Sequence, residues 1–239
     1  MPKTDAARTK RRCVAGFLGT VSYSDGLALQ QSAVERLNAG EPAEQLFLLE
    51  HPHVYTLGRG ADAANILASD EELRDKSIEV FETGRGGDVT YHGPGQLVGY
   101  PVINLKPDRC DVHRYVRDLE EVLIRALADF LIEGSRIEGL TGVWVGDEKI
   151  AAIGVRIARW ITSHGFALNT NTNLDYFRMI VPCGISTKGV TSLERLLGRQ
   201  VDIGEVAERV ATRFGEVFDR EMLPAGGEVD TLLHPIAGR

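Results

Sequence analysis

Apolar and polar positions along the chain follow two periods. Alternating or continuous apolar runs at residues 45–49, 54–57, 78–82, 97–105, 143–145, 150–157 and 162–168, each bounded by Gly, Pro, Asp or Asn, predict strands. A 3.6-residue spacing predicts helices. Leu27, Val34 and Leu37 mark one. Tyr115, Leu119, Val122, Leu123, Ala126, Leu127 and Phe130 form a second stripe, and Val206, Val210, Phe214 and Val217 a third. Asp202 with Glu205 reads as the start of the third helix. Thr191 with Glu194 forms a similar box before Leu196 and Leu197, with Gly198 placed to stop that turn. The strands often follow one another directly, above all between residues 141 and 168. This favours an α+β fold, with a mixed, largely antiparallel sheet flanked by helices, over a doubly wound parallel sheet.

With 239 residues, 43% of them hydrophobic, the chain can bury one substantial core. The expected division is a basic, disordered lead-in over residues 1–12, a single domain over 13–223 and a Gly/Pro-containing tail over 224–239. The lead-in has no apolar run of the kind a secretory signal needs, and no later stretch is long and apolar enough for a membrane span. A cytoplasmic protein is expected. A net charge of −7 argues against a general nucleic-acid binder. Cys13, Cys110 and Cys183 are far apart and odd in number, so they propose neither a disulfide framework nor a CxxC site. His51 and His53 would share a strand face but lack a third ligand at metal spacing.

The chemistry concentrates in a few segments. In Arg85-Gly86-Gly87-Asp88-Val89-Thr90-Tyr91-His92-Gly93-Pro94-Gly95-Gln96, glycines let a ligand approach the backbone while Pro94 stiffens the chain. Glycine-rich turns are often only turns, yet Arg, Thr, Tyr and His packed among the glycines point to a site. Cys183 lies between Pro182 and Gly184, a setting that presents a thiol. Cys110 sits among acids that disfavour a thiolate, and Cys13 follows the basic lead-in. A nucleophilic thiol needs a base, and Lys149, His92 and His164 are the candidates. Lys149 closes the turn 146–149 and opens a strand, so its stem can fold inward.

These segments together resemble the lipoyl(octanoyl) transferases. The matching motifs are residues 49–59, 85–96, Lys149-Ile150-Ala151-Ala152-Ile153-Gly154, His164-Gly165-Phe166-Ala167-Leu168-Asn169 and Pro182-Cys183-Gly184. The resemblance implies the catalytic-domain fold of the biotin and lipoate protein ligases. It also implies transfer of octanoyl or lipoyl from acyl carrier protein to a lysine of lipoyl domains, those of 2-oxoacid dehydrogenase complexes and the glycine cleavage H protein. On this pattern Cys183 carries the acyl group as a thioester and Lys149 is its proton-transfer partner. Arg85, Gly86, Gly87, Asp88, Val89, Thr90, Tyr91, His92, Ala152, Ile153, Gly154, Gly165, Phe166 and Ala167 form the acyl pocket, with His164 in support. The protein is expected to be a monomer with no cofactor and no metal.

Physical chemistry agrees with this reading. A thiolate intermediate splits a slow thioester-to-amine transfer into two easier exchanges and needs no ATP. Small residues at Gly154, Gly165 and Ala167 would leave room for the chain. Two rivals remain. An ATP-dependent lipoate or biotin protein ligase on the same fold would need no Cys183, and its basic glycine loop is interrupted after Gly58-Arg59-Gly60. A non-catalytic carrier-protein or lipid-binding module would need neither Cys183 nor Lys149. Arg85, Arg156, Arg159 and Lys188 are expected to form a basic docking rim.

Overall fold

The computed structural model describes residues 10–42, 44–181 and 188–225. In chain order the elements are β1 (Arg11–Thr20), α1 (Tyr23–Asn38), β2 (Glu44–Glu50), β3 (Val54–Leu57), α2 (Asp70–Asp75), β4 (Glu79–Glu82), β5 (Val89–His92) and β6 (Gln96–Val102). Then come α3 (Val112–Ala128), β7 (Ser135–Ile137), β8 (Leu140–Val145), β9 (Glu148–Ala158) and β10 (Ile161–Asn169). A 3-10 turn (Leu174–Met179), β11 (Gly189–Val190), α4 (Leu193–Leu197), α5 (Ile203–Phe218) and β12 (Arg220–Pro224) complete the order.

The main sheet runs β12-β1-β2-β6-β10-β9-β8-β7, with β11 beside β9, and a second sheet runs β4-β3-β5. Pairing from β2 through β6, β10, β9 and β8 to β7 is antiparallel, whereas β1 lies parallel to both neighbours. This is the expected mixed, largely antiparallel sheet.

Strand alternation assigns the layers. Leu46 and Leu48 face α3 and α5, while Phe47 and Leu49 face α1, because successive side chains leave opposite faces of a strand. The stripe Tyr115, Leu119, Val122, Leu123, Ala126 and Leu127 is fully buried on α3, as its spacing predicts. Asp111 caps this helix by accepting from the Arg114 amide. In α5, Val206, Val210 and Phe214 are buried, and the Asp202 side chain accepts from the Gly204 amide.

Three expectations change. On α1 the buried face runs through Tyr23, Gly26, Leu29, Gln30 and Ala33, with Val34 and Leu37 only flanking it. The cap of α4 is Ser192, whose hydroxyl accepts from the Arg195 amide, and not Thr191; Gly198 ends the turn in the left-handed region at φ 69°. Arg11 and Arg12, expected in the lead-in, begin β1, and Pro224, expected in the tail, ends β12. A buried carboxylate anchors this edge. Glu44 on β2 accepts from Arg220 Nε at 2.5 Å and pairs with Arg11 at 3.2 Å, tying three strands whose sequences alternate poorly. No helix among the described residues is long and apolar enough to cross a membrane.

Candidate active site

A cavity of about 740 Å³ lies where the two sheets meet. One wall is the paired stretch of β9 and β10 carrying Ala152, Ile153, Gly154, His164, Gly165, Phe166 and Ala167. The facing wall is the loop and strand with Arg85, Gly86, Gly87, Asp88, Val89, Thr90 and His92. Tyr23 on α1 and Val98 and Tyr100 on β6 line it as well. Toward α3 it extends past Val112, Val116, Leu140, Trp144, Lys149 and residues 188–190. Tyr91 does not line it: strand alternation turns its ring into the cluster of Tyr55, Ile78 and Ile180, where its hydroxyl meets His53 Nδ1 at 2.8 Å. Cys183 lies outside the described residues.

The loop is held by its neighbours. Amides of Gly58, Arg59 and Gly60 donate to the carbonyls of Asp88, Arg85 and Gly87. The buried Arg85 guanidinium donates to the Thr56 carbonyl at 2.6 Å, its hydroxyl at 2.8 Å and the Gly86 carbonyl at 3.0 Å. Asp88 accepts from Asn65 at 3.0 Å and from the Val89 amide at 2.7 Å.

Two glycines have a different reason from the one expected. A Cβ on Gly165 would stand 2.2 Å from the Gly99 carbonyl oxygen, and one on Gly154 would stand 3.0 Å from the Gly86 carbonyl oxygen. Their smallness first admits neighbouring backbone, and only then leaves space for a ligand.

Three imidazoles are buried around the cavity. His51 Nδ1 lies 2.6 Å from the Val21 carbonyl, so this nitrogen donates and Nε2 accepts from the Tyr100 hydroxyl at 2.7 Å. His92 Nδ1 donates to Gln96 Oε1 at 2.8 Å. The Gln96 amide is oriented by donating to Asn169 Oδ1 at 2.9 Å, and Asn169 donates in turn to the Thr191 carbonyl at 3.0 Å. His164 adopts φ 56° and donates its amide to Gln30 Oε1 at 2.6 Å. Burial pushes His51 and His164 down to about 4 and His92 to about 3, with the Arg85 charge contributing at His92 and His164. All three are neutral near pH 7, so they make the surroundings of the cavity polar without adding charge.

Lys149 stands opposite Trp144 on the neighbouring strand, with Nζ 4.7 Å from the indole centroid. The structure therefore gathers every described residue of the expected site except Tyr91. It adds Tyr23, Val98, Tyr100, Trp144 and Phe177, which lie far apart in sequence and carried no motif of their own. Of the expected basic rim, Arg85 is buried and Lys188 is paired with Asp147, leaving Arg156 and Arg159 exposed. Among the described residues no cluster could hold a metal ion.

Comparison with known proteins gives the family and the fold. The model of the lipoyl protein ligase A/B catalytic domain matches residues 22–215. An octanoyltransferase of Solibacter usitatus is 52% identical over 214 residues, covering 90% of this chain and 96% of the relative. One of Myxococcus xanthus is 54% identical over 214 residues, covering 87% of this chain and 60% of that longer relative. Among solved structures, a lipoate-protein ligase A bound with ATP superposes with a TM-score of 0.74 at 16% identity over 95% of this chain and 94% of that one. The bi-partite lipoate protein ligase of Thermoplasma acidophilum gives 0.72 at 17% identity over 95% and 92%. At that identity these two speak for the fold alone. A cavity between the sheets walled by the 85–92 and 152–167 segments, with Lys149 at its side, thus accompanies clear sequence kinship, and the chain belongs to the lipoyl protein ligase A/B catalytic-domain family, alongside its octanoyltransferases.

Proposed function

We propose that the protein moves an octanoyl group from acyl carrier protein to a lysine of lipoyl domains, through a thioester on Cys183 with Lys149 as its proton-transfer partner. The observation that carries the reading is a cavity of about 740 Å³ whose interior is largely apolar and whose side bears Lys149. Burial there is worth about 0.8 kcal/mol per methylene, enough to select a medium-length chain. Phe177 before Cys183 and residues 188–190 after it line the same cavity, which supports a thiol working there. In the first exchange the Cys183 thiol passes its proton to Lys149 and its sulfur attacks the thioester carbonyl. The carrier's thiolate leaves and takes that proton. In the second, the neutral acceptor amine attacks the enzyme thioester, gives up a proton through Lys149, and the Cys183 thiol is regenerated.

The test is intact-mass analysis after mixing with an octanoyl thioester in the absence of ATP. An octanoyl adduct mapped to Cys183 and lost in Cys183→Ser is expected. An adduct only on Cys13 or Cys110 would overturn the reading. One rival is a ligase on the same fold that activates free acid with ATP. Transfer from free octanoate that requires ATP would establish that rival instead.

A further inference from the structure

The pairing of β8 with β9 slips at one point. Val143 is opposite Ala151, yet Trp144 is opposite Lys149, so β9 carries one extra residue, Ile150. Regular antiparallel pairing would set Ile150 against Trp144. The slip puts the lysine there instead, and its Nζ comes to rest 4.7 Å from the centre of the buried indole. Gly142 makes this possible. It adopts φ 120°, and a Cβ there would meet the Ala151 carbonyl oxygen at 2.5 Å and Lys149 Cε at 3.4 Å. The bulge is pinned from the α3 side, where the buried Glu120 accepts from the Gly142 amide at 3.0 Å and from Arg136 Nε at 3.0 Å.

We propose that Trp144 is a positioning residue for Lys149: its indole face, fixed by the bulge that Glu120 clamps, seats the ammonium end where a proton can be received and returned. This inference rests on the reading of Lys149 as the proton-transfer partner. An aromatic face attracts a cation through its quadrupole but is not a base, so it steadies the ammonium without competing for its proton. Glu148 pairs with Arg195 at 3.4 Å, Lys188 pairs with Asp147, and Glu120 pairs with Arg136.

The test is a double-mutant cycle read by the rate at which an octanoyl thioester acylates the full-length enzyme in a single turnover. Trp144→Leu should slow acylation about five- to thirtyfold, Trp144→Phe less, with a smaller change in KM than in kcat. In a Lys149→Ala background, Trp144→Leu should cause no further loss. Fluorinated tryptophans, incorporated with Trp160→Phe so that Trp144 alone is labelled, weaken the ring's face without changing its shape. The rate should then fall stepwise with fluorine number. Additive losses in the cycle, or a flat fluorination series, overturn the proposal even if Trp144→Leu folds poorly. An unaltered rate in Lys149→Ala by itself overturns the reading of Lys149 and this inference with it.

Discussion

Burial of His51, His92 and His164 ties stability to pH with a definite sign. In the unfolded chain each titrates near 6.5, whereas in the fold they are lowered to about 4, 3 and 4. Below pH 6.5 the unfolded chain binds protons that the native state refuses. Stability is therefore complete above that value and falls as pH drops toward 4, by up to about 1.4 kcal/mol per unit for each group. Thermal melts should be level between pH 8 and 7 and clearly lower at pH 5; equal midpoints at pH 7 and 5 would contradict the assigned burial. Lys149 poses a different question at the same scale. Lys149→Arg keeps a cation beside Trp144 but holds its proton too tightly to exchange it near neutral pH. Turnover should drop by about a hundredfold or more with an unchanged melting point, the range general acid–base groups contribute. Near-normal turnover would reduce Lys149 to an electrostatic role.

At the scale of elements, the meeting of β6, β9 and β10 is governed by contact with backbone. A methyl group on Gly165 would stand 2.2 Å from the Gly99 oxygen and 2.6 Å from Pro101 Cδ, neither at the end of a flexible side chain. Gly165→Ala should cost about 1–3 kcal/mol and distort the cavity wall. A urea midpoint matching that of the parent chain would show that β6 and β10 can part without penalty. The cap of α4 makes a smaller case. Motif spacing selects Thr191 because Glu194 lies three residues on, but Ser192 supplies the hydroxyl that accepts from Arg195. Both positions satisfy the same local rule, and only the path of the chain after β11 decides between them.

At the scale of the molecule, a net charge of −7 sits beside a narrow basic remnant near the cavity. Arg85 is consumed in holding its loop and Lys188 in pairing with Asp147, so Arg156 and Arg159 are the exposed cations left from the expected rim. If the acyl donor is an acidic carrier protein, Arg156→Glu combined with Arg159→Glu should raise KM for that donor severalfold. Turnover of a small octanoyl thioester should stay unchanged, since rim charges act on encounter and are screened over roughly 10 Å at 0.1 M salt. Equal effects on both donors would place the two arginines in the chemistry.

The sequence by itself determined the α+β class, the α3 and α5 stripes, the strands that β6, β9 and β10 embody, and the segments that wall the cavity. The class, stripes and strands rest on a period written in consecutive residues, and the cavity segments on the resemblance of their motifs to the lipoyl(octanoyl) transferases. What it left illegible is long-range. β1 is missed because Gly16 and Gly19 break its pattern and its place is secured by Arg220 and Glu44, remote in the chain. Tyr91 shares a motif with His92, yet the alternation of β5 sends one ring to the tyrosine cluster and the other to the cavity. Trp144 carried no signal, since its meeting with Lys149 depends on a one-residue slip between strands. Periodicity chooses elements and faces. Register, bulges and the closeness of distant side chains come only from packing those faces together, and so the seat of Lys149 was decided by the tertiary structure.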